Sequence, residues 1–75
     1  MALSPDVAET LGTRIRDARV DAGITQAGLA VEIGISRVHL CNYERGRKWP
    51  NVEMLVKICR VLGTRPDVLL SFADE

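Results

Sequence analysis

Apolar residues recur at intervals of three and four along this 75-residue chain, and no stretch alternates as a half-buried strand would. The first such series consists of Val7, Leu11, Ile15, Ala18 and Ala22. It predicts an amphipathic helix over about residues 5–22. Ser4 is its expected N-cap, Pro5 suits the first turn, and Gly23 ends it. Gly12 is a weak point within this helix because glycine is a poor helix former.

Two further helices are marked by residues that favour helix ends. Thr25 and Gly34 bracket the second, TQAGLAVEIG. Its third position is Gly28, where a capping box has Glu or Gln, and glycine there costs about 1 kcal/mol of helix propensity against alanine. Ser36 caps the third helix, which is expected to end at Gly46.

Two further helices are predicted after the basic segment. The fourth is predicted over about residues 51–62 and ends at Gly63. Its inward residues are Val52, Leu55, Ile58, Cys59 and Leu62. Arg65 and Pro66 open a fifth helix, PDVLLSF. Five helices with short connections predict one all-α domain over residues 1–75.

The composition excludes several classes of protein. No apolar run approaches the ~20 residues of a membrane span, and the first ten residues are unlike a signal peptide, so a cytoplasmic protein is expected. Cys41 and Cys59 form no CxxC motif, which favours two reduced thiols over a disulfide or a zinc site. His39 is the single histidine. No metal site, cofactor or catalytic triad is therefore expected, and an enzyme is the weakest interpretation.

Charge is unevenly distributed, although the net charge is zero. From Ser36 to Pro50 there are four basic residues and one acid, Glu44, so this segment carries +3 and the rest of the chain −3. A concentrated basic segment is typical of proteins that bind a polyanion.

The third helix has an unusual outer face. With Leu40 at the centre of the buried side and about 100° per residue, Tyr43 and Glu44 lie on the buried side. The opposite side contains Val38, Asn42 and Arg45, with Cys41 on its shoulder and Arg37 in the first turn. This face has no acid from Arg37 to Asn42.

Such a mixture matches the chemistry of base edges in a DNA major groove. Asparagine can pair with adenine, arginine with guanine, and valine or cysteine can pack on the methyl group of thymine. The alternative is that Val38 and Cys41 cover a neighbouring helix while Asn42 is solvated. The outer face alone does not decide between the two.

The segment TQAGLAVEIGISRVHLCNYERG resembles the helix-turn-helix of phage repressors and Cro, the XRE family. The matching residues are Thr25, Gln26, Leu29, Ala30, Gly34, Ile35, Ser36, Leu40 and Tyr43-Glu44-Arg45-Gly46. The resemblance extends over about residues 11–70. It implies a compact five-helix lambda-repressor-like domain, with its helix-turn-helix at about residues 25–46. Gly28 for the usual Glu, Tyr43 for the commoner Trp, and an early helix start at Pro5 depart from the family pattern.

The resemblance also implies roles for individual residues. Those in base-reading positions are Arg37, Val38, Cys41 and Asn42. Those expected at or near phosphates are Gln26, Ser36, His39, Arg45, Arg47 and Lys48. Gln26 could also brace the first recognition residue. For His39 a solvated or phosphate-adjacent ring is favoured over base reading, and for Trp49 a place on the core beside Pro50 is favoured over contact with DNA.

Two further contacts follow from the resemblance. Arg19 occupies the place from which the family pairs an arginine with the acid at Glu44, so a structural salt bridge is expected. Once the inward residues of helix four are assigned to the core, several apolar residues remain without an assigned place. These leftover apolar residues are Met54, Val56, Val61, Val68, Leu70 and Phe72. In the family, helix five and its surroundings form the dimer interface. Helices four and five correspond to about residues 51–72 here, and the resemblance implies Val68, Leu70 and Phe72 as the interface residues. Alternatively, they complete the core of the monomer.

The expected function is sequence-specific transcriptional regulation, with a homodimer binding a palindromic operator in double-stranded DNA. A phage repressor, a restriction–modification controller and an antitoxin all fit this description. The rival is a protein-interaction module of the same fold that binds a toxin or RNA polymerase, which the zero net charge favours. Gln26, Asn42 and the basic loop oppose that rival.

Overall fold

The computed structural model describes the backbone of residues 5–70 and the side chains of residues 7–70, and this part of the chain contains helices and no strand. The five helices are α1 (Pro5–Asp21), α2 (Gln26–Ile33), α3 (Arg37–Glu44), α4 (Val52–Leu62) and α5 (Pro66–Leu69). The predicted all-α, five-helix architecture is confirmed. The N-cap expected at Ser4 lies outside the described residues.

Side-chain caps fix where the two central helices begin. Thr25 Oγ1 accepts a hydrogen bond from the Gly28 N–H, and Ser36 Oγ accepts one from the His39 N–H, each at 3.0 Å. These bonds satisfy backbone donors that a helix leaves open in its first turn. Gly34 closes α2 with a left-handed backbone (φ 78°) and lets the chain turn directly into α3.

The core is aliphatic and receives residues from all five helices. Its fully buried side chains are Ile15, Leu29, Leu40, Ile58 and Leu69. Two residues predicted to face inward do not. Val52 is 79% exposed because it lies in the first turn of α4, before that helix reaches the core. Ala22 is exposed because α1 has already ended at Asp21.

α1 and the end of α3 meet backbone to backbone. A Cβ on Gly12 would lie 2.5 Å from the Tyr43 carbonyl oxygen and 2.6 Å from that of Glu44. Gly46 has a left-handed backbone (φ 76°), and a Cβ there would lie 2.8 Å from Glu9 Cα. The absence of a side chain at Gly12 permits the close helix crossing, a packing role that its low helix propensity did not indicate.

The leftover apolar residues divide into two groups. Met54 and Val61 are partly buried and pack against the core, and Val56 is half-buried on α4. Trp49 also packs against the core, the place favoured for it over contact with DNA. Val68 and Leu70 are 52% and 43% exposed on and beside α5. Phe72, the third residue expected at a dimer interface, lies outside the described residues.

Candidate nucleic-acid interface

The recognition helix α3 exposes the side predicted to meet DNA. Leu40 is fully buried, whereas Val38 is 65% exposed. Arg37 is exposed as well, and Cys41 and Asn42 are half-buried. All four side chains proposed to read bases belong to α3. The two in its first turn are more accessible to solvent than the two in its middle.

A network of polar side chains fastens α1 and α2 to the last turn of α3. Arg19 Nε donates to Glu44 Oε2 at 2.7 Å, and its Nη2 donates to Glu44 Oε1 at 3.2 Å. Gln26 Nε2 donates to the same Oε1 at 3.0 Å. Arg19 Nη1 also reaches the carbonyl oxygen of Ile24 at 3.0 Å. The contact expected between Arg19 and Glu44 is therefore present, and it compensates the burial of a carboxylate that is only 7% exposed.

Gln26 extends this network to the first turn of α3. Its Oε1 accepts a long hydrogen bond, 3.4 Å, from Arg37 Nη1. One amide therefore bridges Glu44 in the last turn of α3 and Arg37 in the first turn. This geometry is consistent with Gln26 bracing the first recognition residue.

The basic residues after α3 form the edge of the interface. Arg45, Arg47 and Lys48 are exposed. The N–H groups of Arg47 and Lys48 donate to the Asn42 carbonyl oxygen at 2.9 and 3.3 Å, which ties the loop to the helix. These hydrogen bonds hold the basic loop beside the outer face of α3.

Ser36 and His39 have local contacts within α3. The Ser36 hydroxyl oxygen caps the helix, as described above. The His39 ring is exposed and lies 4.8 Å from the Tyr43 ring between centroids, tilted by 48°. Both residues are exposed at the N-terminal part of α3.

An open cleft of about 410 Å³ lies between α1 and α3. Its lining residues are Thr13, Arg16, Gln26, Arg37, Cys41, Glu44 and Arg45. Thr13 and Arg16 were not among the sequence-predicted site residues. Both belong to α1, and only the close crossing of α1 over α3 brings them beside the recognition helix. The sequence contains no local signal of that crossing apart from Gly12.

Two buried groups have altered acidity. Burial raises the pKa of the Tyr43 hydroxyl from its ordinary 10.0. Burial, and then the negative charge of Asp67, raise the pKa of the Cys59 thiol from its ordinary 9.0. Both groups therefore stay protonated at neutral pH.

Residues 7–70 contain neither a metal-binding cluster nor a membrane-spanning helix. No three His, Cys, Asp or Glu side chains there converge in an arrangement that could hold a metal ion. No helix in the described part of the chain has the length and hydrophobicity needed to cross a membrane.

Known proteins share both this sequence and this arrangement of helices. The helix-turn-helix family profile matches residues 15–69. The chain belongs to the XRE family of helix-turn-helix proteins. An uncharacterized HTH-type transcriptional regulator of Archaeoglobus fulgidus is 38% identical over 63 residues, which cover 84% of this chain and 90% of that protein. The structure of the clp gene regulator ClgR from Corynebacterium glutamicum is 35% identical, with a TM-score of 0.85 over 95% of this chain and 91% of ClgR.

A phage repressor gives a third comparison. Repressor protein C2 of Salmonella phage P22 is 37% identical over 62 residues, which cover 83% of this chain and 29% of the repressor. Its structure with a synthetic operator superposes with a TM-score of 0.75, at 38% identity, over 80% of this chain and 91% of that one. The resemblance to the XRE family and the lambda-repressor-like fold are confirmed. The chain is a DNA-binding transcriptional regulator of the helix-turn-helix type.

Proposed function

We propose that two copies of this protein bind a palindromic operator, with α3 of each copy in the major groove of one half-site. The observation that supports this most is the outer face of α3, where Arg37 and Val38 are exposed beside the basic loop. Glu44, the only acid on α3, is buried against Arg19. The P22 repressor, solved with a synthetic operator, supports operator binding by this chain.

Within each half-site the roles divide into base reading and phosphate contact. Arg37, Val38, Cys41 and Asn42 would read base edges through hydrogen bonds and apolar contacts. Gln26, Ser36, His39, Arg45, Arg47 and Lys48 would contact phosphates or lie next to them. Phosphate contacts provide affinity that falls with salt, whereas base contacts provide selectivity.

Selection of duplexes from a random pool tests this function directly. We expect enriched duplexes with two inverted half-sites whose centres are about one DNA turn, ~34 Å, apart. Binding should weaken steeply between low and moderate salt. No measurable duplex binding at low salt would favour the protein-interaction module instead.

The dimer is proposed to form through α5, because Val68 and Leu70 are exposed apolar residues on one short segment. Phe72, two residues further on, is proposed to belong to the same interface. One domain reads too few base pairs for selectivity in a genome, so pairing also serves the proposed function. Sedimentation of the wild type should show a monomer–dimer equilibrium that Val68→Lys shifts towards monomer.

Val20→Lys is a matched control for that experiment. Val20 is 58% exposed, close to the 52% of Val68, but lies on α1. We expect the control variant to dimerise as the wild type does. Equal effects of the two substitutions, or a wild type that stays monomeric on DNA, would contradict an α5 interface.

A further inference from the structure

We infer that the cleft between α1 and α3 is a phosphate-binding site to which α1 contributes Arg16 and Thr13. The inference rests on the proposed function, because the expected phosphate belongs to the backbone of the bound duplex. It adds two residues of α1 to an interface whose other proposed phosphate contacts come from α2, α3 and the basic loop.

The cleft has a surplus of positive charge. Three arginines line it, Arg16, Arg37 and Arg45. Its one acid, Glu44, is already paired with Arg19, and the side chains of this pair are only 3% and 13% exposed. The three lining arginines therefore face the cleft without a matching exposed carboxylate in its lining.

Two acids of α1 that are close to Arg16 in sequence lie away from the cleft. Arg16 and Thr13 are three residues apart and so lie on neighbouring positions of one helix face. Asp17 and Asp21 line a different groove, on the side of α1 that faces α5. The acids that follow Arg16 in sequence are thereby kept out of the arginine-lined cleft.

The chemistry of the lining residues suits a phosphate group. Guanidinium groups present planar sets of N–H donors that match phosphate oxygens, and they remain charged at any physiological pH. The Thr13 hydroxyl adds a neutral donor. Arg37 and Cys41, two proposed base-reading residues, line the same cleft, so a phosphate bound there would be next to a base that α3 reads.

Replacement of one phosphate at a time tests the site on a duplex obtained by selection. Neutral methylphosphonates are introduced at successive positions, and each duplex is titrated with the wild type and with Arg16→Gln. We expect one position per half-site where the methylphosphonate weakens the wild type more than it weakens the variant, in which Arg37 and Arg45 still line the cleft. The variant's salt exponent should be smaller by about 0.9 per site, so between 50 and 200 mM salt it loses about threefold less affinity per site than the wild type.

Arg60→Gln is the matched control. Arg60 is exposed on α4 and does not line the cleft. It should keep the wild-type salt exponent and the wild-type response to every methylphosphonate. If Arg16→Gln behaves like Arg60→Gln while the wild type still selects a duplex, the inference is overturned and the proposed function stands.

A free phosphate compound is the other kind of ligand that this cleft suits, besides the DNA backbone. Pyrophosphate serves as the probe for it. The amide resonances of Thr13 and Cys41 are followed while pyrophosphate is added to the free protein. If the wild type selects no duplex, saturable shifts that are lost in Arg16→Gln support a site for free phosphates. Absence of those shifts in such a protein overturns the inference together with the proposed function.

Discussion

The side-chain amide of Gln26 donates a hydrogen bond to Glu44 at 3.0 Å, which joins the first residue of α2 to the last residue of α3. The same carboxylate accepts two hydrogen bonds from Arg19 of α1. One buried acid therefore fixes three helices relative to each other. Because Gln26 also contacts Arg37, the packing of the interior and the position of a proposed base-reading side chain depend on one network.

Glu44→Gln should destabilise the fold by about 2–4 kcal/mol, because it leaves the shielded Arg19 guanidinium without its counter-charge. Urea denaturation at neutral pH measures this change. Operator affinity should also fall, since α3 loses its attachment to α1 and α2. If neither stability nor affinity changes, the Arg19–Glu44 pair has no structural role.

Asp67→Asn is the control for that variant. Asp67 pairs with Arg65 at 3.0 Å, but these side chains are 68% and 77% exposed. Water screens such a pair, and its loss should change stability by less than about 1 kcal/mol. The contrast between the two variants isolates the effect of burial.

Gly12→Ala should destabilise the protein by about 1–3 kcal/mol, although alanine is the better helix former. The added methyl group would meet the carbonyl oxygens of Tyr43 and Glu44 at 2.5 and 2.6 Å, and backbone cannot move aside as a side chain can. α1 would have to shift away from α3. Thermal or urea unfolding measures the loss.

Gly28→Ala makes the same substitution in α2. There the nearest atoms to the new methyl group are side-chain atoms, at 3.1 Å in Thr25 and 3.5 Å in Ile24. We expect a change within about 1 kcal/mol, since improved helix propensity offsets the tighter contact. A Gly12→Ala protein as stable as Gly28→Ala would show that the helix crossing tolerates a side chain.

Local signals in the sequence predicted the helices well. Capping residues such as Thr25 and Ser36, and glycines such as Gly34, act within one turn of where they stand, so their positions define the helix ends. Tertiary contacts were predicted where the family resemblance supplied the partner, as for Arg19 and Glu44. Val52 was predicted to face the core and is exposed, because periodicity does not reveal where along its length a helix meets the core.

The arginine-lined cleft depends on a contact that is distant in sequence. Arg16 follows Thr13 by three residues on α1, and nothing local distinguishes it from a solvated arginine. It lies beside Arg37 because α1 crosses α3 closely at Gly12. A sequence pattern reveals the periodicity of each helix, but it does not reveal where two helices cross.

The two cysteines should react with iodoacetamide at very different rates. Cys41 is half-buried in the open cleft, whereas Cys59 is 3% exposed and its pKa is raised by burial and by Asp67. Because the thiolate is the nucleophile, mass spectrometry after brief treatment should find the label on Cys41 first.

Labelled protein should bind its selected duplex more weakly, because the adduct occupies the proposed interface. Cys41→Ser provides the control, since the same treatment should leave its affinity unchanged. Label on Cys59 before Cys41 would contradict the burial of Cys59. Full affinity of singly labelled protein would remove Cys41 from the interface.

Stability should decrease as the solution becomes alkaline. The unfolded chain loses protons from Cys59 near its ordinary pKa of 9.0 and from Tyr43 near 10.0. The folded state holds both protons to higher pH because both pKa values are raised. The unfolded state therefore binds fewer protons above about pH 9, and the free energy of unfolding falls there.

Denaturation in urea at pH 8 and at pH 10.5 measures this dependence. Tyr43→Phe removes one of the two groups, so the variant should lose less stability between these pH values than the wild type loses. Equal losses in the two proteins would show that the folded-state pKa of Tyr43 is not raised.

Asn42→Ala and Arg47→Ala should weaken DNA binding in different ways. Asn42 is proposed to read a base edge, so its loss should relax preference at one or two positions and cost about 1–3 kcal/mol on the preferred duplex. Arg47 is an exposed cation of the basic loop, and its loss should weaken binding to all duplexes alike and reduce the salt exponent by about 1. Parallel selections from a random pool compare the two variants.

The backbone geometry makes this comparison interpretable. Asn42 holds the basic loop through its carbonyl oxygen, which accepts from the N–H groups of Arg47 and Lys48, and substitution by alanine retains that carbonyl. The loop should therefore stay in place in Asn42→Ala, and any change in preference reflects the lost amide. A uniform loss of affinity across all sequences from both substitutions would refute the division between base-reading and phosphate-binding residues.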